Sequence, residues 1–240
     1  MSHKVISSIF ALAFLVLIQS FSGVFRFLLP VMAGYAIVLM AYNRWYLKDH
    51  NFYSFWSWVR PLFFLASMIG LYFVIPNNLF RGLFLLFATG FIYFLESRLL
   101  IASEQVIFFE TLVSYFGLSL AVFGGNFYLL PKNFITLLLL GLITFLITRA
   151  SLDYVPQPDR QKNLFSWFIA FCMLETSWAL VFLPFHFTAL AVILFNIFYV
   201  LWIVCYYHLF HNLTAKKISF HVIFASVLIF LILIATPWRI

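Results

Sequence analysis

Nine stretches of this chain are each apolar for about the length that crosses a lipid bilayer, and little separates them. At about 1.5 Å rise per residue, a hydrocarbon core of about 30 Å takes roughly 20 residues. The runs fall at 5–22, 24–42, 59–76, 79–98, 103–125, 132–149, 164–184, 186–207 and 219–237. They are continuous, whereas the strands of a membrane barrel alternate apolar and polar residues. Charged residues make up only 9% of the sequence, against about 25% in a soluble domain, so the chain cannot clothe a surface in water. The expected fold is all-α: a polytopic membrane protein of nine transmembrane helices, or eight if the short second run is re-entrant. Residues 1–240 read as a single transmembrane domain, with residues 1–22 as its first helix.

The formal charge of +7 is a matter of orientation. Cytoplasmic loops carry an excess of Lys and Arg. With the N-terminus inside and nine helices, Lys4, Arg44, Lys48, Arg60, Arg98, Arg149, Arg160, Lys162, Lys216 and Lys217 fall on the cytoplasmic side. Arg26, Arg81, Lys132 and Arg239 fall outside. Ten against four predicts a multi-pass protein of the cell (inner) membrane with its N-terminus cytoplasmic and its C-terminus external. The expected partners are the lipid bilayer and other membrane proteins, with no nucleic acid.

Pro30, Pro76, Pro131, Pro184 and Pro237 recur at spacings of 46, 55, 53 and 53 residues. Basic residues return about halfway through each interval. The pattern predicts helical hairpins with a Pro turn outside and a basic connection inside, arranged as parallel repeats of about 53 residues. Equal helix lengths would give similar spacings without duplication, since Pro favours helix starts and turns.

Two connections stand out. Segment 43–58 interleaves Trp45, Tyr46, Phe52, Tyr53, Phe55, Trp56 and Trp58 with Arg44, Lys48, Asp49 and His50, a mixture suited to a segment lying at the headgroup level. Residues 150–163, with Pro156 and Pro158, read as a solvated cytoplasmic loop. Gly is scarce, with nine residues against 34 Phe, so helices are expected to pack through large side chains rather than close backbone contact.

Ionisable residues at membrane depth are costly enough to count as functional candidates. Glu175 lies near the middle of the seventh run, and Asn196 lies at nearly the same depth on the returning run. They are expected to face each other, as a hydrogen-bonded structural pair or as a site for a proton or substrate. Glu110 lies about two turns inside its helix, within reach of Arg98 or Arg149. Glu96 and Glu104, at helix ends, read as structural. His208 and His211, spaced i, i+3, form an alternative interfacial site with His221 nearby, and the chain has too few His for a di-iron box. Cys172 and Cys205 read as buried free thiols. No metal site and no cofactor motif is expected.

The stretches Glu175-Thr-Ser-Trp178, Phe182-Leu-Pro184, Tyr206-Tyr-His208-Leu-Phe-His211-Asn-Leu-Thr214 and Pro237-Trp238-Arg239 resemble uncharacterised polytopic membrane proteins of small-genome bacteria. The resemblance covers about the last third of the chain and brings no activity with it. The leading expectation is a non-enzymatic role, either handling a small or lipidic substrate in the membrane or serving as a subunit of a membrane complex. The alternative is an intramembrane enzyme acting on lipid-linked substrates at the cytoplasmic face through His208, His211 or Glu110.

Overall fold

In a bilayer core no water is at hand to bond a bare N–H or C=O, so a spanning segment must satisfy its backbone internally. The computed structural model describes residues 3–23, 25–48, 54–97, 104–128, 133–210 and 213–236, and among them it is all-helical. The elements are α1 (His3–Phe21), α2 (Phe25–Lys48), α3 (Phe55–Val74), α4 (Asn78–Ser97), α5 (Glu104–Tyr128), α6 (Asn133–Ser151), α7 (Asp159–Val181), α8 (Phe187–Leu209) and α9 (Ala215–Ala235). A single 3₁₀ turn, Leu152–Tyr154, follows α6.

Eight of these helices are long and apolar enough to span a membrane, and α3 contributes a shorter apolar stretch, Val59–Val74. The chain is a multi-pass membrane protein. The second run is a single unbroken helix: α2 covers 24 residues, roughly 36 Å at the helical rise.

Three expectations change. Pro30 lies inside α2, so it closes no hairpin, although Pro76 and Pro184 do lie in the α3–α4 and α7–α8 connections. Pro131 and Pro237 lie outside the described residues, and the 53-residue repeat is not confirmed. Of segment 43–58, Asn43–Lys48 are the last turns of α2 and Phe55–Trp58 open α3, while 49–53 lie outside the described residues. Most of the expected loop 150–163 is helical. Pro158 stands at the N-cap of α7 and Asp159 in its first turn, where an acidic side chain suits the helix dipole, and this moves the start five residues ahead of the apolar run.

The chain divides into two compact units, Met1–Glu110 and Thr111–Ile240. In the first, α1 packs on α4 and α2, and α3 packs on α2 and α4. The buried stripe of α1 is Ser7, Ala11, Phe14 and Ile18, and α4 answers with Leu85, Ala88, Ile92 and Leu95. Both follow the three-four spacing of one helix face. In the second unit α6 packs on α7, α7 on α8, and α8 on α9. Tyr115 stacks on Phe198 with ring centroids 3.7 Å apart, and the Trp202 indole N–H donates to Ser151 Oγ at 2.8 Å. At Gly141 a Cβ would come within 3.1 Å of Leu174 Cδ1, so the missing side chain lets α6 and α7 close up there.

Arg149 explains how charge tolerates burial beside the 3₁₀ turn. Its Nε donates to Asn163 Oδ1 at 2.6 Å, its Nη2 to Asp159 Oδ1 at 2.6 Å and its Nη1 to Asp153 Oδ1 at 3.4 Å. Lys162 Nζ donates to the Asp153 carbonyl at 2.9 Å. The planar guanidinium serves three acceptors from fixed directions, which an ammonium cannot do. Arg149→Lys is therefore expected to lower the melting temperature of the detergent-solubilised protein clearly. Asp159→Asn should cost little, since Asp159 is 76% exposed and exposed ion pairs contribute about 0–1 kcal/mol. Equal losses in the two variants would refute the fork as the stabilising element.

Candidate functional site

In the first unit the beginnings of α1, α3 and α5 meet the ends of α2 and α4. Polar residues within about two turns of those termini therefore collect at one end. Asn43 lies five residues before the end of α2, Arg60 is the sixth residue of α3, Glu96 is next to last in α4, and Glu110 is the seventh of α5. All four are buried, with 0%, 7%, 2% and 1% exposure. Arg60 Nε lies 2.6 Å from Glu110 Oε2 in a buried ion pair. Asn43 Nδ2 donates to Glu96 Oε1 over a long 3.4 Å, and Glu96 lies within electrostatic reach of both Glu110 and Arg60.

The cluster is rich in acceptors. Asn43 Oδ1, Glu96 Oε2 and Glu110 Oε1 are buried and receive no hydrogen bond among the described residues. Burying an ion costs several kcal/mol even after relaxation, and removing one partner of a buried pair costs about 3–5 kcal/mol. Two carboxyls against one guanidinium is therefore an arrangement under electrostatic tension, unlike a simple neutral pair.

His3 closes this end of the unit. Its Nε2 lies 2.7 Å from the Glu96 carbonyl oxygen and its Nδ1 2.7 Å from the Tyr42 hydroxyl. A carbonyl only accepts, so Nε2 carries a hydrogen, and in the neutral ring Nδ1 accepts from Tyr42. The Tyr46 ring stacks on the imidazole with centroids 3.9 Å apart. The first residue of α1 is thus tied to the ends of α2 and α4 through the Tyr42 hydroxyl and the Glu96 backbone carbonyl.

Of the residues singled out in the sequence, Glu110 belongs to this cluster, but its partner is Arg60. Arg98 lies outside the described residues, and Arg149 is engaged with Asn163, Asp153 and Asp159. Asn43, Arg60 and Glu96 were not read as site residues. Their placement within about two turns of alternating helix ends is the signal that would have joined them.

Glu175 and Asn196 do not pair. Asn196 is 3% exposed and its Nδ2 donates to the Val192 carbonyl of its own helix at 2.8 Å. Glu175 is exposed. The buried face of α7 is Lys162, Ser166, Ile169, Ala170, Met173, Ser177 and Leu180, and Glu175, two residues past Met173, points about 200° away from it at 3.6 residues per turn. Its neighbours on the outer face are Phe171, Trp178 and Phe182, also exposed. Depth matched, but azimuth did not.

His208 is exposed, with the Phe165 ring 5.6 Å away centroid to centroid. His211 lies outside the described residues. His221 hydrogen-bonds the Tyr199 hydroxyl through Nδ1. Among the described residues no group of three His, Cys, Asp or Glu side chains is placed to hold a metal ion.

No family model, curated protein or solved structure matches this chain.

A carboxyl facing lipid near the bilayer middle costs about 2.5–3.5 kcal/mol on insertion scales. Glu175→Leu should therefore make insertion of α7 more favourable by about that amount, measured by placing the helix in a reporter protein with glycosylation sites on both flanks. Unchanged insertion would mean that Glu175 does not face lipid.

Proposed function

We propose that this chain is a non-enzymatic protein of the cell membrane that handles a small substrate within the bilayer, and that Arg60, Glu110, Glu96 and Asn43 are its polar centre. The observation that carries the reading is their convergence from four helices, each residue buried inside the protein. A purely structural ion pair needs one carboxyl and one guanidinium. The second carboxyl and its amide add polar capacity that packing does not require. The four residues are 0–7% exposed, so the centre is closed around ion-sized or very small ligands and offers no lipid headgroup a seat. That geometry favours handling over catalysis on a lipid-linked substrate.

The proposed orientation puts the N-terminus and this polar end on the cytoplasmic side. The ten-to-four distribution of Lys and Arg supports it. So does a groove of about 440 Å³ on α2, lined by Ile37, Met40, Ala41, Arg44, Trp45 and Lys48. There, two basic side chains one turn apart flank an indole, a combination suited to anionic headgroups. Reporter fusions at the two ends are expected to land on opposite sides of the membrane, with the N-terminal one cytoplasmic. Fusions on the same side would remove the nine-helix topology.

The handling reading is tested by flux. Purified protein is reconstituted in vesicles holding a pH-sensitive dye, and a pH step is applied outside. The expected result is a faster dye response than in protein-free vesicles, reduced at least tenfold by Glu110→Gln, which keeps the shape of the side chain and removes its charge. A wild-type response equal to that of empty vesicles overturns proton-coupled handling by this centre.

A further inference from the structure

We propose that the cluster in the first unit binds and releases one proton, seated on Glu96 and hydrogen-bonded to Asn43. The inference deepens the reading above and rests on the same centre. Glu110 is matched by Arg60 at 2.6 Å, so that pair is neutral as it stands. Glu96, 2% exposed, has only an amide N–H, at 3.4 Å. One carboxylate in the cluster is therefore left without a cation of its own.

The orphaned oxygens say what is missing. Glu96 Oε2, Glu110 Oε1 and Asn43 Oδ1 are all acceptors, all buried, and lack donors among the described residues. An ionised carboxylate only accepts, whereas a protonated one gains an O–H donor. One proton on Glu96 balances the charge of the cluster and supplies a donor for the Asn43 carbonyl oxygen in a single step. A metal cation fits less well, because hard cations take about six or more oxygen ligands and this centre offers three free ones.

The other groups around the site suit exchange. From α1, His3 touches the Glu96 carbonyl and Tyr42; from α2, Tyr35 and Tyr42 lie within electrostatic reach of Glu96; from α3 and α5 come Arg60 and Glu110. When the proton leaves, Arg60 opposes the new charge on Glu96 and Glu110 reinforces it. Half-buried His3, with a ring nitrogen on either side, bridges the carboxyl-bearing residue to the end of the unit. The balance is simple: an O–H bond at Glu96 forms on uptake and breaks on release, with no electron transferred.

The test is infrared spectroscopy of the full-length protein in lipid nanodiscs, titrated with pH in water and in heavy water. The expected result is a protonated-carboxyl band at neutral pH that disappears on alkaline titration, moves in heavy water, is absent in Glu96→Gln, and survives in Glu175→Gln. Asn43→Ser shortens the hydrogen-bonding partner without touching the carboxyl. It should shift the band, which decides the matter even if Glu96→Gln does not fold. No such band in the wild type, or a band unmoved by Asn43→Ser and still present in Glu96→Gln, overturns the proposal. Sodium that binds the wild type in place of the band also overturns it, in favour of a metal cation. A band without proton flux in vesicles leaves this site standing and removes the handling reading, and flux without the band does the reverse.

Discussion

Inside a bilayer a polar group without a partner has no water to fall back on, and the structure is arranged around that scarcity. The helical backbone settles its own account. Most hydroxyl and amide side chains at membrane depth then do the same by turning back onto a carbonyl three or four residues earlier. Ser7 bonds His3, Thr89 bonds Leu85, Thr144 bonds Leu140, Ser166 bonds Lys162, Ser177 bonds Met173 and Asn196 bonds Val192. Such bonds ask nothing of a neighbouring helix, although Thr144 also reaches the Tyr115 hydroxyl of α5. Groups too strongly polar for this local solution must find each other, and those contacts determine which helix ends come together.

Two places show the difference between a charge set that closes and one that does not. Around Arg149 three acceptors meet one guanidinium, and one of the two carboxylates, Asp159, is exposed, so that solvent absorbs the imbalance. Around Arg60 both carboxyls are buried, so solvent cannot serve. The first arrangement fastens a turn between helices. The second leaves acceptors waiting for a donor, which makes it better suited to a functional role than the more heavily charged turn.

Much of the fold was legible because hydropathy over twenty residues is a one-dimensional signal and spanning is a one-dimensional constraint. The helix boundaries that slipped did so where polar residues belong to helices. Asn43–Lys48 extend α2 and Asp159–Asn163 open α7, although their composition resembles loops. The site was harder, since contact depends on rotation about each helix as well as depth. Glu175 illustrates the failure, and its own helix held the correction: the spacing of Ser166, Ile169, Ala170, Met173 and Ser177 marks a face from which residue 175 is turned away. Glu110 was recognised by its cost. Arg60 escaped because a basic residue near a helix end reads as an orientation signal, and Glu96 because a carboxyl at a helix end reads as structural.

The helix α9 has the highest mean hydropathy of the candidate spans, 2.8, and only 6% of its spanning window is buried. It leans chiefly on α8, with Ala225 as its one buried residue among those described. Little of it is covered by the rest of the chain. A segment of that kind crosses the membrane on its own hydrophobicity, so its insertion need not wait for the units beside it to fold, and its loss would leave few interior contacts broken. During biogenesis it can join a bundle already assembled or stand beside one still forming, which frees the protein from completing its packing in the order in which its helices enter the membrane.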